Sequence, residues 1–129
     1  MKRAVLVVED EALIRLVAVD ALEEEGFTVF EAGSVLEAIA ILSNHPEIDV
    51  VFSDVNLPGG PSGLDLARLI GLRYPGVAVL VTSGRCRIPA GELPVGARFI
   101  AKPYRLEELA AGIKALMPER RNEASSGLR

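Results

Sequence analysis

Five short runs of β-forming residues alternate along this chain with segments whose apolar residues recur at helical spacing, and nothing else in the sequence constrains its fold as strongly. Such alternation means parallel strands joined by right-handed crossovers, with helices covering both faces of one sheet. The β-prone runs fall at about residues 5–8, 27–30, 50–54, 77–81 and 97–101. For five strands the expected arrangement is a doubly wound α/β sheet in the order 2-1-3-4-5, which makes strands one and three neighbours and opens a crevice at their carboxyl ends.

The helical segments carry their own start and stop signals. Ile14, Val17, Ala18, Ala21 and Leu22 form one stripe, predicting a helix over about 11–25 that Gly26 can close. Ser34 with Glu37 and Ser62 with Asp65 read as capping boxes, ahead of the stripes Val35, Ala38, Ile39, Leu42 and Leu66, Leu69, Ile70. Pro46 and Pro75-Gly76 end these two helices. Leu106, Leu109, Ala110, Ile113 and Met117 mark a last helix stopped by Pro118. Between 84 and 96, Pro89, Gly91, Pro94 and Gly96 leave room for one or two turns at most, so the fourth helix is expected to be short or irregular and the stretch mobile. One domain over 1–118 and a frayed polar tail over 119–129 account for the chain.

The carboxyl end of the predicted sheet is chemically loaded. Val5-Leu6-Val7-Val8 runs into Glu9-Asp10, Val50-Val51-Phe52-Ser53 ends on Asp54, and Phe99-Ile100-Ala101 ends on Lys102-Pro103. Either acid of the Glu9-Asp10 pair could simply begin a helix, with Asp10 as N-cap. Three carboxylates at one rim repel each other, however, and stay ionised only beside a cation. An all-oxygen donor set with positions left for water and a phosphoryl group suits Mg²⁺.

Composition excludes several other classes. The net charge of −4 offers no basic face for nucleic acid, and no apolar segment approaches membrane-spanning length. The apolar run after Lys2-Arg3 is too short for a signal peptide and stops at Glu9. One cysteine, Cys86, suits a reducing cytoplasm. No phosphate-cradling Gly-Lys-Ser/Thr loop exists, and the acids after strand one are the wrong charge for a flavin phosphate. A dehalogenase-like phosphatase would want an aspartate and a threonine where Asn56 and Pro58 stand. His45 reads as a solvated turn residue, and Arg85 and Arg87 as residues of the pocket mouth or of the solvated surface.

Val8-Glu9-Asp10-Glu11, Asp54-Val55-Asn56-Leu57-Pro58-Gly59, Thr82-Ser83-Gly84 and Lys102-Pro103-Tyr104 match, in order, the motifs of one family: over about residues 3–117 the chain resembles the receiver domain of two-component response regulators. The resemblance implies a flavodoxin-like (βα)5 fold and a stand-alone cytoplasmic receiver, a monomer or weak homodimer. It implies that Asp54 accepts a phosphoryl group from phosphohistidine on a sensor histidine kinase or phosphotransfer protein. Glu9, Asp10, the Asp54 carboxylate and the backbone carbonyl of Asn56 would hold Mg²⁺, and Lys102 would supply a second cation. The family's hydroxyl falls on Ser83, with Thr82 as the alternative. Phe99 occupies the place of a rotating aromatic switch, or is a plain core phenylalanine. The signal would then leave through contacts with an unidentified protein or by passing the phosphoryl group on. A degenerate receiver used only for binding is the alternative function, and the intact acid, hydroxyl and lysine set argues against it.

Overall fold

The computed structural model describes residues 3–57, 59–84 and 91–118. Five parallel strands, β1 (Ala4–Val8), β2 (Thr28–Ala32), β3 (Ile48–Asp54), β4 (Ala78–Ser83) and β5 (Ala97–Ala101), form one sheet in the order β2-β1-β3-β4-β5. Every residue of β1 and β3 is buried, as central strands covered on both faces require, whereas β2 and β5 at the edges keep exposed positions. Four helices lie among the described residues: α1 (Ala12–Glu24), α2 (Val35–Asn44), α3 (Gly63–Arg73) and α4 (Leu106–Leu116). Residues 91–96 form turns, with Gly91 and Gly96 at positive φ. Pro89, Cys86, Arg85, Arg87 and the tail over 119–129 lie outside the described residues, as do residues 85–90 of the segment expected to be mobile.

Alternation along the strands divides the core in two. Leu6, Val8, Val51, Val79 and Val81 pack with α2 and α3, through Leu42, Leu66 and Ile70. Val5, Val7, Val50, Phe52 and Leu80 pack on the other face with Ala18, Val19 and Leu22 of α1 and Leu109 and Ile113 of α4. Each large side chain fully buried in these layers contributes roughly 1.5–3 kcal/mol of transfer free energy.

Local signals mostly act as the residues suggest. Ser62 Oγ accepts from the N–H groups of Leu64 and Asp65, both at 3.2 Å, and Asp65 Oδ2 accepts from Ser62 N–H at 2.9 Å, completing the capping box. Gly26, at φ +97°, ends α1 and donates to Glu23 O. Four readings need correction. Only half of the Ser34 box forms, because the Glu37 carboxylate accepts from Gly33 N–H at 2.5 Å. The N-cap of α1 is Glu11, not Asp10, and it makes no side-chain capping bond. His45 is half-buried and stacks on Phe30 with ring centroids 4.4 Å apart.

The fourth correction concerns the buried face of α1. Ala18, Val19 and Leu22 are buried while Ile14 and Val17 are 37% and 51% exposed, so the helix is turned away from the apolar stripe read in the sequence. Apolar residues occur around most of this helix, and periodicity alone cannot choose between overlapping stripes. Packing against β1, β2 and α4 makes the choice.

Candidate functional site

Parallel strands deliver their last residues to one edge, and here β1, β3, β4 and β5 each deliver a polar side chain to the same rim. Asp54 closes β3 and is only 6% exposed. Its Oδ1 accepts from Asn56 N–H at 2.9 Å and its Oδ2 from Lys102 Nζ at 2.7 Å. Glu9, just past β1, is equally buried; its Oε2 accepts from Glu11 N–H at 3.1 Å, and its Oε1 lies 4.0 Å from Lys102 Nζ. One ammonium therefore serves two buried carboxylates from neighbouring strands.

That ratio sets the electrostatics. Burial, reinforced by the Asp54 charge, pushes the Glu9 carboxyl up to about 7 from an ordinary 4.5, against the pull of the Glu11 N–H and of Lys102. Burial also opposes the charge on Lys102, but the hydrogen bond and charge of Asp54, joined by Glu9, outweigh it and raise the ammonium above its usual value. A carboxyl raised on folding binds its proton more tightly in the folded state than in the unfolded chain. The associated stabilisation is full below about 4.5 and is lost as the pH rises through about 7. Metal-free protein should accordingly lose on the order of 2 kcal/mol between pH 5 and pH 8, and Glu9→Gln should flatten the dependence. Urea unfolding at the two pH values measures it, and equal slopes in both proteins would contradict the assignment.

The adjacent hydroxyls of β4 part company. Asn56 Nδ2 donates to Ser83 Oγ at 3.2 Å, and Ser83 O accepts from Lys102 N–H at 3.3 Å, so Ser83 is tied to two residues of the rim. Thr82, directly opposite Asp54 in the ladder, has a buried hydroxyl with no hydrogen-bond partner among the described residues. Phe99, opposite Val81 on the edge strand, is 36% exposed, which removes the plain core reading. The Lys102–Pro103 peptide is cis.

Not every predicted acid joins the group. Asp10 is exposed, and among the described residues no three Asp, Glu, His or Cys side chains converge as a ready-formed metal site. The donor chemistry nevertheless fits a hard cation: two desolvated carboxylates share a single lysine, and Mg²⁺ keeps most of its waters and needs few protein oxygens.

Two residues that matter to this rim were missed in the sequence. Gly63 opens α3 directly against the end of β3: a Cβ there would lie 2.8 Å from Val55 Cα and 2.9 Å from Asp54 C. Its signal is a glycine immediately after the capping Ser62. Arg15 donates from Nη1 to Glu9 O at 2.7 Å and from Nε to Glu31 Oε1 at 3.0 Å. It falls on the line 15, 18, 19, 22 that faces the sheet, which the misread stripe of α1 concealed.

The sequence and the fold are both similar to those of known proteins. The family model described as the response regulator receiver domain matches residues 5–114. The chain is 37% identical to the sensor kinase CckA of Brucella abortus over 88% of its own length and 12% of the kinase. It is 39% identical to the phosphate regulon transcriptional regulatory protein PhoB of Escherichia coli over 91% of its length and 52% of that protein. The chain thus spans about half, or far less, of these curated relatives. Among solved structures it superposes on a response regulator receiver protein from Sinorhizobium medicae with a TM-score of 0.83 at 25% identity, covering 89% of this chain and 94% of that one. The receiver domain of the hybrid histidine kinase CckA gives a TM-score of 0.77 at 30% identity, with 89% and 99% covered. No helix among the described residues is long and apolar enough to cross a membrane. By the match of its sequence from β1 into α4, and by its fold, the chain belongs to the response regulator receiver domain family.

Proposed function

We propose that this chain is a phosphoacceptor of a two-component relay and that Asp54 takes the phosphoryl group. The observation that carries the reading is the 2.7 Å contact of Lys102 Nζ with Asp54 Oδ2 at a rim where Asn56 N–H holds the other oxygen. The two hydrogen bonds hold the carboxylate in one orientation at the rim. The donor is phosphohistidine of a sensor kinase or phosphotransfer protein: an Asp54 oxygen forms the new O–P bond as the N–P bond breaks, and the imidazole leaves with the electron pair. Little covalent chemistry is then asked of the protein beyond positioning and charge. Lys102 would neutralise charge on the phosphoryl oxygens, and Ser83 Oγ, which accepts from Asn56 Nδ2, would donate to one of them.

Glu9, Asp10, Asp54 and the Asn56 carbonyl would hold Mg²⁺. When bound, the ion neutralises phosphoryl and carboxylate oxygens together. Phe99, more than a third exposed on the edge strand, is free to repack when Ser83 moves and so to report the event to a protein target. The chain is itself the substrate of the transfer, and a cytoplasmic location suits that role. A binding-only module has no use for the Asp54, Lys102 and Ser83 set, which disfavours it.

The test is intact-mass spectrometry after incubation with acetyl phosphate and Mg²⁺. The chain should gain one phosphoryl group and Asp54→Ala none; modification that survives in the variant would move the acceptor elsewhere.

A further inference from the structure

We propose that Arg15 is a positioning residue for the metal-binding loop, resting on the reading of Glu9 and Asp10 as residues that hold Mg²⁺. The parallel ladder of β1 ends at Val8, whose partners are Ala32 and Ser53. Glu9 lies one residue beyond it. Its N–H still reaches Ala32 O at 3.0 Å, but its carbonyl projects past the end of the sheet. The Arg15 guanidinium supplies the missing donor at 2.7 Å.

A backbone carbonyl could be satisfied by water, so a guanidinium there needs a reason. Arg15 stands on the sheet-facing line of α1, one turn before the buried Ala18, Val19 and Leu22, where an apolar side chain would ordinarily pack. Its side chain is 23% exposed, and it is held in place by a second bond, from Nε to Glu31 Oε1 on β2. One planar fork thus links β2, α1 and the end of β1, a geometry that lysine cannot reproduce.

The consequence falls on Glu9. Its main chain is fixed at both the N–H and the C=O, and its carboxylate is fixed by Glu11 N–H at 3.1 Å. Without Arg15 the peptide between Glu9 and Asp10 is free to rotate, and that rotation re-aims the carboxylates on either side of it. Partners that orient ligands without touching the metal typically account for 10–100-fold in affinity.

The experiment is a Mg²⁺ titration of unphosphorylated protein followed by the NMR amide shifts of Glu9, Asp10 and Glu11. Arg15→Gln should raise the apparent dissociation constant about tenfold. Its amide spectrum away from residues 9–11 and 31 should match that of the unaltered protein, a split that general loosening of the fold would not produce. Arg15→Lys keeps the charge and stem but loses the fork, and should weaken Mg²⁺ similarly; it decides the matter if the Gln variant fails to fold. Affinity within twofold of the unaltered protein in the folded variant overturns the role of Arg15. Absence of Mg²⁺ binding in the unaltered protein overturns the metal reading itself, and the Arg15 proposal with it.

Discussion

Replacing Gly63 with alanine is expected to destabilise the protein and to cripple phosphorylation together. Gly63 is buried at the first turn of α3 and donates to Val55 O at 2.9 Å, so the helix rests on the main chain that carries Asp54. An added Cβ would meet the Asp54 carbonyl oxygen, Asp54 C and Val55 Cα, all of them backbone atoms that cannot rotate away. Either α3 lifts or the end of β3 shifts. Overpacking of this kind costs roughly 1–3 kcal/mol, and the backbone contact places it at the upper end, a fall of roughly 10 °C in Tm. A displacement of about 1 Å at a reacting group can cost about 100-fold in rate, so labelling at Asp54 should slow by about that factor. Gly71→Ala is the control. It lies in the same helix with nothing within 4 Å of an added Cβ, and should stabilise by about 0.5–1 kcal/mol. Calorimetry of both variants decides; a Gly63→Ala protein as stable as the parent would mean that α3 does not bear on β3.

Lys102→Met should produce the second large effect. Among the described residues Lys102 is the cation within 4.0 Å of both Glu9 and Asp54. Removing one partner of a buried ion pair leaves an uncompensated charge and typically costs about 3–5 kcal/mol. Glu9 can relieve part of this by taking a proton, so at pH 8 in metal-free buffer a loss on the order of 3 kcal/mol is expected, and less at pH 5. Asp54→Asn should recover much of it in the double variant, a coupling of more than about 1 kcal/mol. Added Mg²⁺ should also restore stability by binding the folded state alone. Denaturant titration of the four proteins measures the cycle, and strictly additive losses would show that Lys102 and Asp54 act independently.

How much of this was legible in the residues differs between fold and site. Ser62 with Asp65, Gly26 and Pro118 act through bonds or steric limits within a few residues, so their effects follow from local sequence. The strand ends bearing Glu9, Asp54 and Lys102 were legible because an apolar run that stops on a charge places that charge at a sheet edge in any parallel α/β fold. Asp10 and Phe99 were less so. The resemblance makes Asp10 a metal ligand and Phe99 a switch residue, yet Asp10 is exposed and Phe99 is 36% exposed, values set by how the loop and edge strand are covered.

Alternation of period and the punctuation of Gly, Pro and capping residues therefore determined, from sequence alone, the five strands, the four described helices and the chemistry at their ends, because each depends on neighbours in the chain. Tertiary structure alone decided which face of α1 is buried, that Ser83 rather than Thr82 bonds to Asn56, that Gly63 must lack a side chain, and that Arg15 reaches Glu9. Those outcomes depend on distances between segments that only the fold brings together, as with Asn56 and Ser83, 27 residues apart. Such distances exist only once the sheet has brought the strands into register, and no local pattern encodes them.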